Sequence, residues 1–224
     1  MNGKFFGVSV GPGDPDLMTF GSVKKIKQAD IIALPLKNIE DLEKCLAYTI
    51  ARQAVPEINE KTLVAIDMPM TKDKNILAAA HDKGSKTLME YLNQGLDVAF
   101  LTIGDISIYA SAMYIHDLIM AAGYETELVS GVPSFCAAAG RLKISLAKQN
   151  KPLHIFPATY GDLGLDLDGT KILMKPSKSL ELSNVENIYC VENCGLKNEK
   201  IYKGKEAIET EKGYFSLYII DSDK

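Results

Sequence analysis

The sequence holds few of the residues that carry metal or redox chemistry. Its four cysteines, Cys45, Cys136, Cys190 and Cys194, form no CxxC or disulfide-rich pattern. Its three histidines, His81, His116 and His154, stand too far apart for a metal-ligand set. Reduced thiols, ordinary histidines and no resident metal are therefore expected. Long blocks of like charge are absent as well: 25 basic and 29 acidic residues give a net charge of −4, which leaves no electrostatic footprint for nucleic acid. No long apolar run is present near the start, because residues 5–10 are bounded by charge and by Gly-Pro-Gly. That stretch is too short for a signal peptide's apolar core or a membrane span, so a cytoplasmic protein without a membrane partner is expected.

What remains is a chain of 224 residues, 46% of them hydrophobic, enough to bury one large core or two small ones. Residues 4–10 read as a buried strand and Gly11-Pro12-Gly13-Asp14-Pro15 as a rigid loop with two permissive glycines and two fixed φ angles. Thr19 is placed to cap a helix reaching about Gln28, with Phe20, Val23 and Ile26 inward. A strand at 30–34, an amphipathic helix at 40–53, a strand at 62–66 and a long helix at 75–93 follow. Residues 97–102 form the next strand, and Ile108, Ala112, Ile115 and Ile119 recur at helical spacing until Gly123. Strand 126–129, a loop at 130–134 and a small-residue helix at 135–141 complete this half. Strands alternating with helices predict a mostly parallel α/β sheet. Beyond it the strand candidates 153–157, 171–174, 187–191, 200–202 and 214–220 are joined by only brief helical pieces, which predicts a mixed, largely antiparallel second sheet. The expected domains are 1–131 and 132–224, with the active site in the cleft between them.

Two loops, at Gly104 and at Gly131, follow carboxyl ends of strands, where open α/β sheets bind ligands. Each glycine lets a ligand approach the main chain, and Ser107 and Ser134 are placed to cap the following helices or touch the ligand. The Met68–Met70 loop faces the same rim. A nicotinamide-dependent oxidoreductase also begins with strand, Gly-rich turn and helix. Here Gly7, Gly11 and Gly13 do not form GxGxxG, and the second strand ends at Leu34-Pro35 without the acidic residue that would hold a ribose hydroxyl.

Four motifs in order, Gly7-Val-Ser-Val-Gly-Pro-Gly-Asp-Pro15, Ile103-Gly-Asp-Ile-Ser-Ile-Tyr109, Gly131-Val-Pro-Ser-Phe-Cys-Ala-Ala-Ala139 and Lys171-Ile-Leu-Met-Lys-Pro176, resemble the tetrapyrrole (corrin/porphyrin) methyltransferases. Within that family the stretch 114–147 looks most like the (cobalt-)precorrin-2 C(20)-methyltransferases of cobalamin biosynthesis. The resemblance implies a two-domain homodimer that binds S-adenosylmethionine and methylates a macrocycle carbon. By position it assigns Pro12, Ile103, Gly104, Asp105, Ile108, Ser134, Phe135, Met174 and Lys175 to the cofactor, with Asn193 near the adenine. Relatives often carry Pro where this chain has Ile106. Uroporphyrinogen methyltransferases carry Asp where it has Pro35.

Displacement at an activated sulfonium methyl needs alignment and no nucleophile triad, and none is found in the sequence. Tyr109, Tyr114 or water is left to receive the ring proton. Precorrin-2 is a polycarboxylate, so Lys37, Arg52, Arg141, Lys148 and Lys178 are candidate anchors, Arg141 foremost. Methylation at another tetrapyrrole position, methylation of a protein side chain as in diphthine synthase, and a non-catalytic nucleotide-binding module remain alternatives.

Overall fold

A computed structural model describes residues 1–158, 164–175, 182, 185, 187–210 and 213–221. The chain separates into two compact units, Met1–Pro133 and Ser134–Lys224. No helix among the described residues is long and apolar enough to cross a membrane.

The first unit carries strands β1 (Phe5–Ser9), β2 (Ile31–Pro35), β3 (Thr62–Ile66), β4 (Val98–Thr102) and β5 (Thr126–Val129), all parallel, in the order β3-β2-β4-β1-β5. Every residue of β1 is buried, and only the last residue of β2 and of β4 is not. A parallel strand covered on both faces must be apolar throughout, which explains their unbroken hydrophobic runs. The edge strands β3 and β5 are mostly half-exposed. Successive side chains point to opposite faces. Phe6, Val8, Ile32, Leu34, Ala99 and Leu101 pack on α1 (Phe20–Gln28) and α2 (Leu46–Ala54). Phe5, Ile31, Ala33, Val98 and Phe100 pack on α3 (Lys74–Asn93) and α4 (Ala112–Ala121). The parallel α/β reading of this half therefore holds.

Two local expectations do not. Phe20 is 96% exposed rather than inward, because it opens α1 and the side chains of a helix lean back toward its N-terminus, here past the end of the core. Thr19 does cap the helix, its Oγ1 accepting the Ser22 N–H at 3.1 Å. The helix expected over 40–53 is divided: a 3₁₀ stretch, Ile39–Lys44, ends at an extended Cys45, and α2 begins only after it.

The second unit has α5 (Ser134–Leu142), α6 (Lys205–Glu209) and strands β6 (Leu153–Pro157), β7 (Thr170–Met174), β8 (Ile188–Glu192), β9 (Lys200–Lys203) and β10 (Ser216–Ile220). Their order is β6-β7-β10-β8-β9, with β6 and β7 parallel and the other pairs antiparallel, so the mixed, largely antiparallel expectation holds. Leu173, Ile188, Cys190, Tyr218 and Ile220 form its core. None of the four cysteines is joined in a disulfide.

Candidate functional site

In the first unit the chain leaves β1 toward the α1 face and leaves β4 toward the α4 face, although the two strands are neighbours. Their carboxyl ends thus form the sheet's topological switch point, the place where open α/β sheets bind ligands. The protein's own hydrogen bonds fix this edge. Gly104 N–H donates to Gly11 O at 2.7 Å, and Val10 N–H to Thr102 O at 2.9 Å. Ser22 Oγ donates to Ser9 O at 2.6 Å, while Thr19 Oγ1 donates to Ser130 O at 3.2 Å.

The two loop glycines differ in role. Gly104 has φ +70°, a conformation that favours glycine, and nothing lies within 4 Å of the place a Cβ would take. The side of its main chain where a side chain would stand is therefore open. At Gly131 a Cβ would stand 2.4 Å from Gly104 O and 2.5 Å from Ser9 Cβ, so the close approach there is between two loops of the protein.

Asp105 is buried, 7% exposed. One carboxylate oxygen accepts the N–H of Ser107, at 2.8 Å, and the Ser107 hydroxyl; the other accepts the Gly131 N–H at 2.7 Å. Burial opposes its charge, but the Ser107 hydroxyl and the two N–H donors outweigh that and hold the carboxyl below its ordinary range. Ser107 therefore serves Asp105 and not a helix cap; the residue before α4 is Ser111, which makes no side-chain cap bond.

The remaining first-unit residues assigned by resemblance lie along the same edge. Pro12 follows Gly11, Ile103 is half-buried against the α1-side core, and the Ile108 N–H donates to Asp105 O at 3.1 Å. Tyr109 adopts φ +48°, an uncommon conformation for a bulky side chain, and is half-exposed. Tyr114 lies on α4 with its ring stacked on His81, centroids 4.9 Å apart, so it is joined to the helix layer and not to the loops.

In the second unit β6, β7 and β8 run in one direction, which brings their carboxyl ends to one edge of the sheet. Met174, Lys175 and Asn193 all stand there. Lys175 (φ +53°) and Asn193 (φ +54°) both take left-handed backbone, and Asn193 N–H donates to Phe215 O at 2.8 Å. Non-glycine residues in such conformations concentrate where a fold positions ligands. Ser134 and Phe135 open α5, with Phe135 buried. Arg141 lies in its last turn, and its Nε is 3.4 Å from a carboxylate oxygen of Glu199.

Of the other candidate anchors, Arg52 is engaged by Glu43 and lies over the Tyr48 ring, and Lys148 donates to Asp221 at 2.7 Å. Lys37 is exposed just past β2, and Lys178 lies outside the described residues.

The model of the tetrapyrrole (corrin/porphyrin) methylases matches residues 4–208, which takes in both sheets apart from β10. The chain belongs to this family. A Methanocaldococcus jannaschii protein named a probable cobalt-precorrin-2 C(20)-methyltransferase is 32% identical over 210 residues, covering 90% of this chain and 87% of its own. A Sinorhizobium precorrin-2 C(20)-methyltransferase is 25% identical over 240 residues, with 97% and 95% covered. Among solved structures, the uroporphyrin-III C-methyltransferase of Thermus thermophilus superposes with a TM-score of 0.71 at 16% identity, over 99% of this chain and 93% of that one, and so shares the fold.

In this tetrapyrrole methylase the sequence motifs do not single out Ser9. It is fully buried at the end of β1, and its Oγ accepts the Ile106 N–H at 2.9 Å. The signal was available: a hydroxyl on a strand covered on both faces must find a partner. The bond also makes position 106 sensitive to proline, which has no N–H to offer Ser9.

Proposed function

We propose that this tetrapyrrole methylase transfers a methyl group from S-adenosylmethionine to carbon 20 of precorrin-2, with or without cobalt, in cobalamin biosynthesis. The observation that carries the reading is the likeness, over nearly the whole chain, to relatives named for C(20) methylation of this ring, one with cobalt in its name and one without. The methyl donor suits the open main chain of Gly104 at the switch point, a place that a Cβ would fill. Pro12, Ile103 and Ile108 border it.

When bound, S-adenosylmethionine supplies a methyl already activated on a sulfonium. The chain's part is to hold donor and ring in line, and such alignment is worth about 7–11 kcal/mol. Hydrogen bonds tie the Gly11, Gly104 and Gly131 loops to one another along this edge, which supports that role. After attack a proton leaves the ring. Tyr109 lies in the Gly104 loop, whereas Tyr114 is stacked on His81, so Tyr109 or water receives it. Arg141 anchors an acidic side chain of the ring. The working form is a cytoplasmic homodimer, in keeping with the prevalence of two-fold assemblies; light scattering at micromolar concentration tests it, and monomer alone removes that part.

Mass spectrometry of products from metal-free and cobalt-loaded precorrin-2 tests the reaction. A product heavier by one CH₂, a methyl gained for a proton lost, from either ring form supports it. No product from both contradicts it.

A further inference from the structure

We propose that Asp105 is a positioning residue: its carboxylate sets the spacing between the Gly104 and Gly131 loops, and with it the shape of the donor-binding edge, without itself touching the donor. The inference rests on the reading that the methyl donor binds at this edge.

The two sides of the carboxylate do different work. The bonds to Ser107 are local, spanning two residues, and form the short turn that Asp commonly makes with its own chain. The bond to Gly131 spans 26 residues and joins the loop after β4 to the loop after β5. Both oxygens are occupied by protein donors on a residue that is 7% exposed, which leaves little of the carboxylate for a ligand. The loops are already in contact at this point, since Gly131 has no room for a Cβ against Gly104 O. A shift of the Gly131 main chain therefore moves Gly104, the residue whose open side suits the donor. An ionised acceptor gives shorter and stronger hydrogen bonds than a neutral one, so a carboxylate suits this tie better than an amide.

Asp105→Asn separates the roles. The amide has the same shape but one acceptor oxygen, which serves Ser107 or Gly131 and leaves its NH₂ facing an N–H donor on the other side. Affinity for S-adenosylhomocysteine, measured by calorimetry, is expected to fall at least tenfold in Asp105→Asn, and by less in Ser107→Ala, which loses only the local hydroxyl. In amide NMR of the ligand-free wild type, the Gly131 proton is expected far downfield, as a donor to a carboxylate, and in Asp105→Asn it should move upfield.

Asp105→Asn that folds and binds within twofold of wild type overturns the proposal. Should that variant fail to fold, the wild type alone decides: the Gly131 amide must stay downfield when S-adenosylhomocysteine binds, and an upfield jump would show the carboxylate leaving Gly131 for the ligand. If the wild type binds neither the donor nor its product, the functional reading fails. The Gly131 signal without ligand then still reports whether the tie exists.

Discussion

The main-chain N–H of Ile106 donates to the side-chain oxygen of Ser9 at 2.9 Å across 97 residues of sequence, and the Ile106 side chain fills the space where a Cβ on Gly7 would stand, 2.5 Å from its Cδ1. The loop after β4 is thereby fastened to β1 at the switch point.

Replacing either partner should loosen the loop by a definite amount. Ile106→Pro removes both the donor and a buried side chain, and Ser9→Ala leaves a buried N–H without its acceptor. Each is expected to lower stability by about 1–3 kcal/mol. Urea unfolding measures it, and an unchanged midpoint in both variants would contradict the assigned bond.

The two loop glycines should respond differently to substitution. At Gly104 a Cβ would meet nothing in the protein, so the main cost of Gly104→Val to the fold is the left-handed backbone, about 1–2 kcal/mol, while binding of S-adenosylmethionine should be lost. Gly131→Ala forces a Cβ against Gly104 O and should destabilise the fold by about 1–3 kcal/mol. Calorimetry with melting curves separates the two effects; normal donor affinity in folded Gly104→Val would remove this edge from the donor site.

Arg141 pairs with Glu199 at the surface, an interaction worth about 0–1 kcal/mol to the fold. Arg141→Ala is therefore expected to melt near the wild-type temperature and to bind S-adenosylmethionine normally. Its turnover of the polycarboxylate ring should fall at least tenfold. Unimpaired kcat/KM would release Arg141 from the substrate site.

His81 gives the fold a pH dependence of known sign. Burial lowers its pKa below that of an exposed imidazole, which titrates at about 6.5. As pH falls through that value the unfolded chain takes up the proton first, so stability is lost from about pH 6.5 downward until the folded pKa is reached. His81→Phe keeps a ring against Tyr114 and should reduce the loss between about pH 7 and pH 5. An equal loss in wild type and variant would assign the dependence to other groups.

Much of the architecture is legible in the sequence, for reasons visible in particular residues. β1, β2 and β4 are apolar runs because both their faces are covered, and β3 and β5 match their expected bounds to the residue. Phe20 and the break at Cys45 are not legible, because periodicity reports which residues are apolar and not where the core ends or where a backbone turns extended. At the site, glycine after a strand marks Gly104 and Gly131 equally. Only the fold shows that one is open and the other is pressed against its neighbour. An aspartate beside a glycine likewise announces a carboxylate without saying that its partner is an N–H 26 residues on.

Under the proposed function, methylation is confined to the one ring carbon that is held about 3–3.5 Å from the donor methyl and in line with it. Carbon-13 NMR of the product made from methyl-labelled S-adenosylmethionine and precorrin-2, with and without cobalt, tests it most directly. The label is expected at the meso carbon 20 alone; label at any other ring carbon, or in neither ring form, would contradict the account.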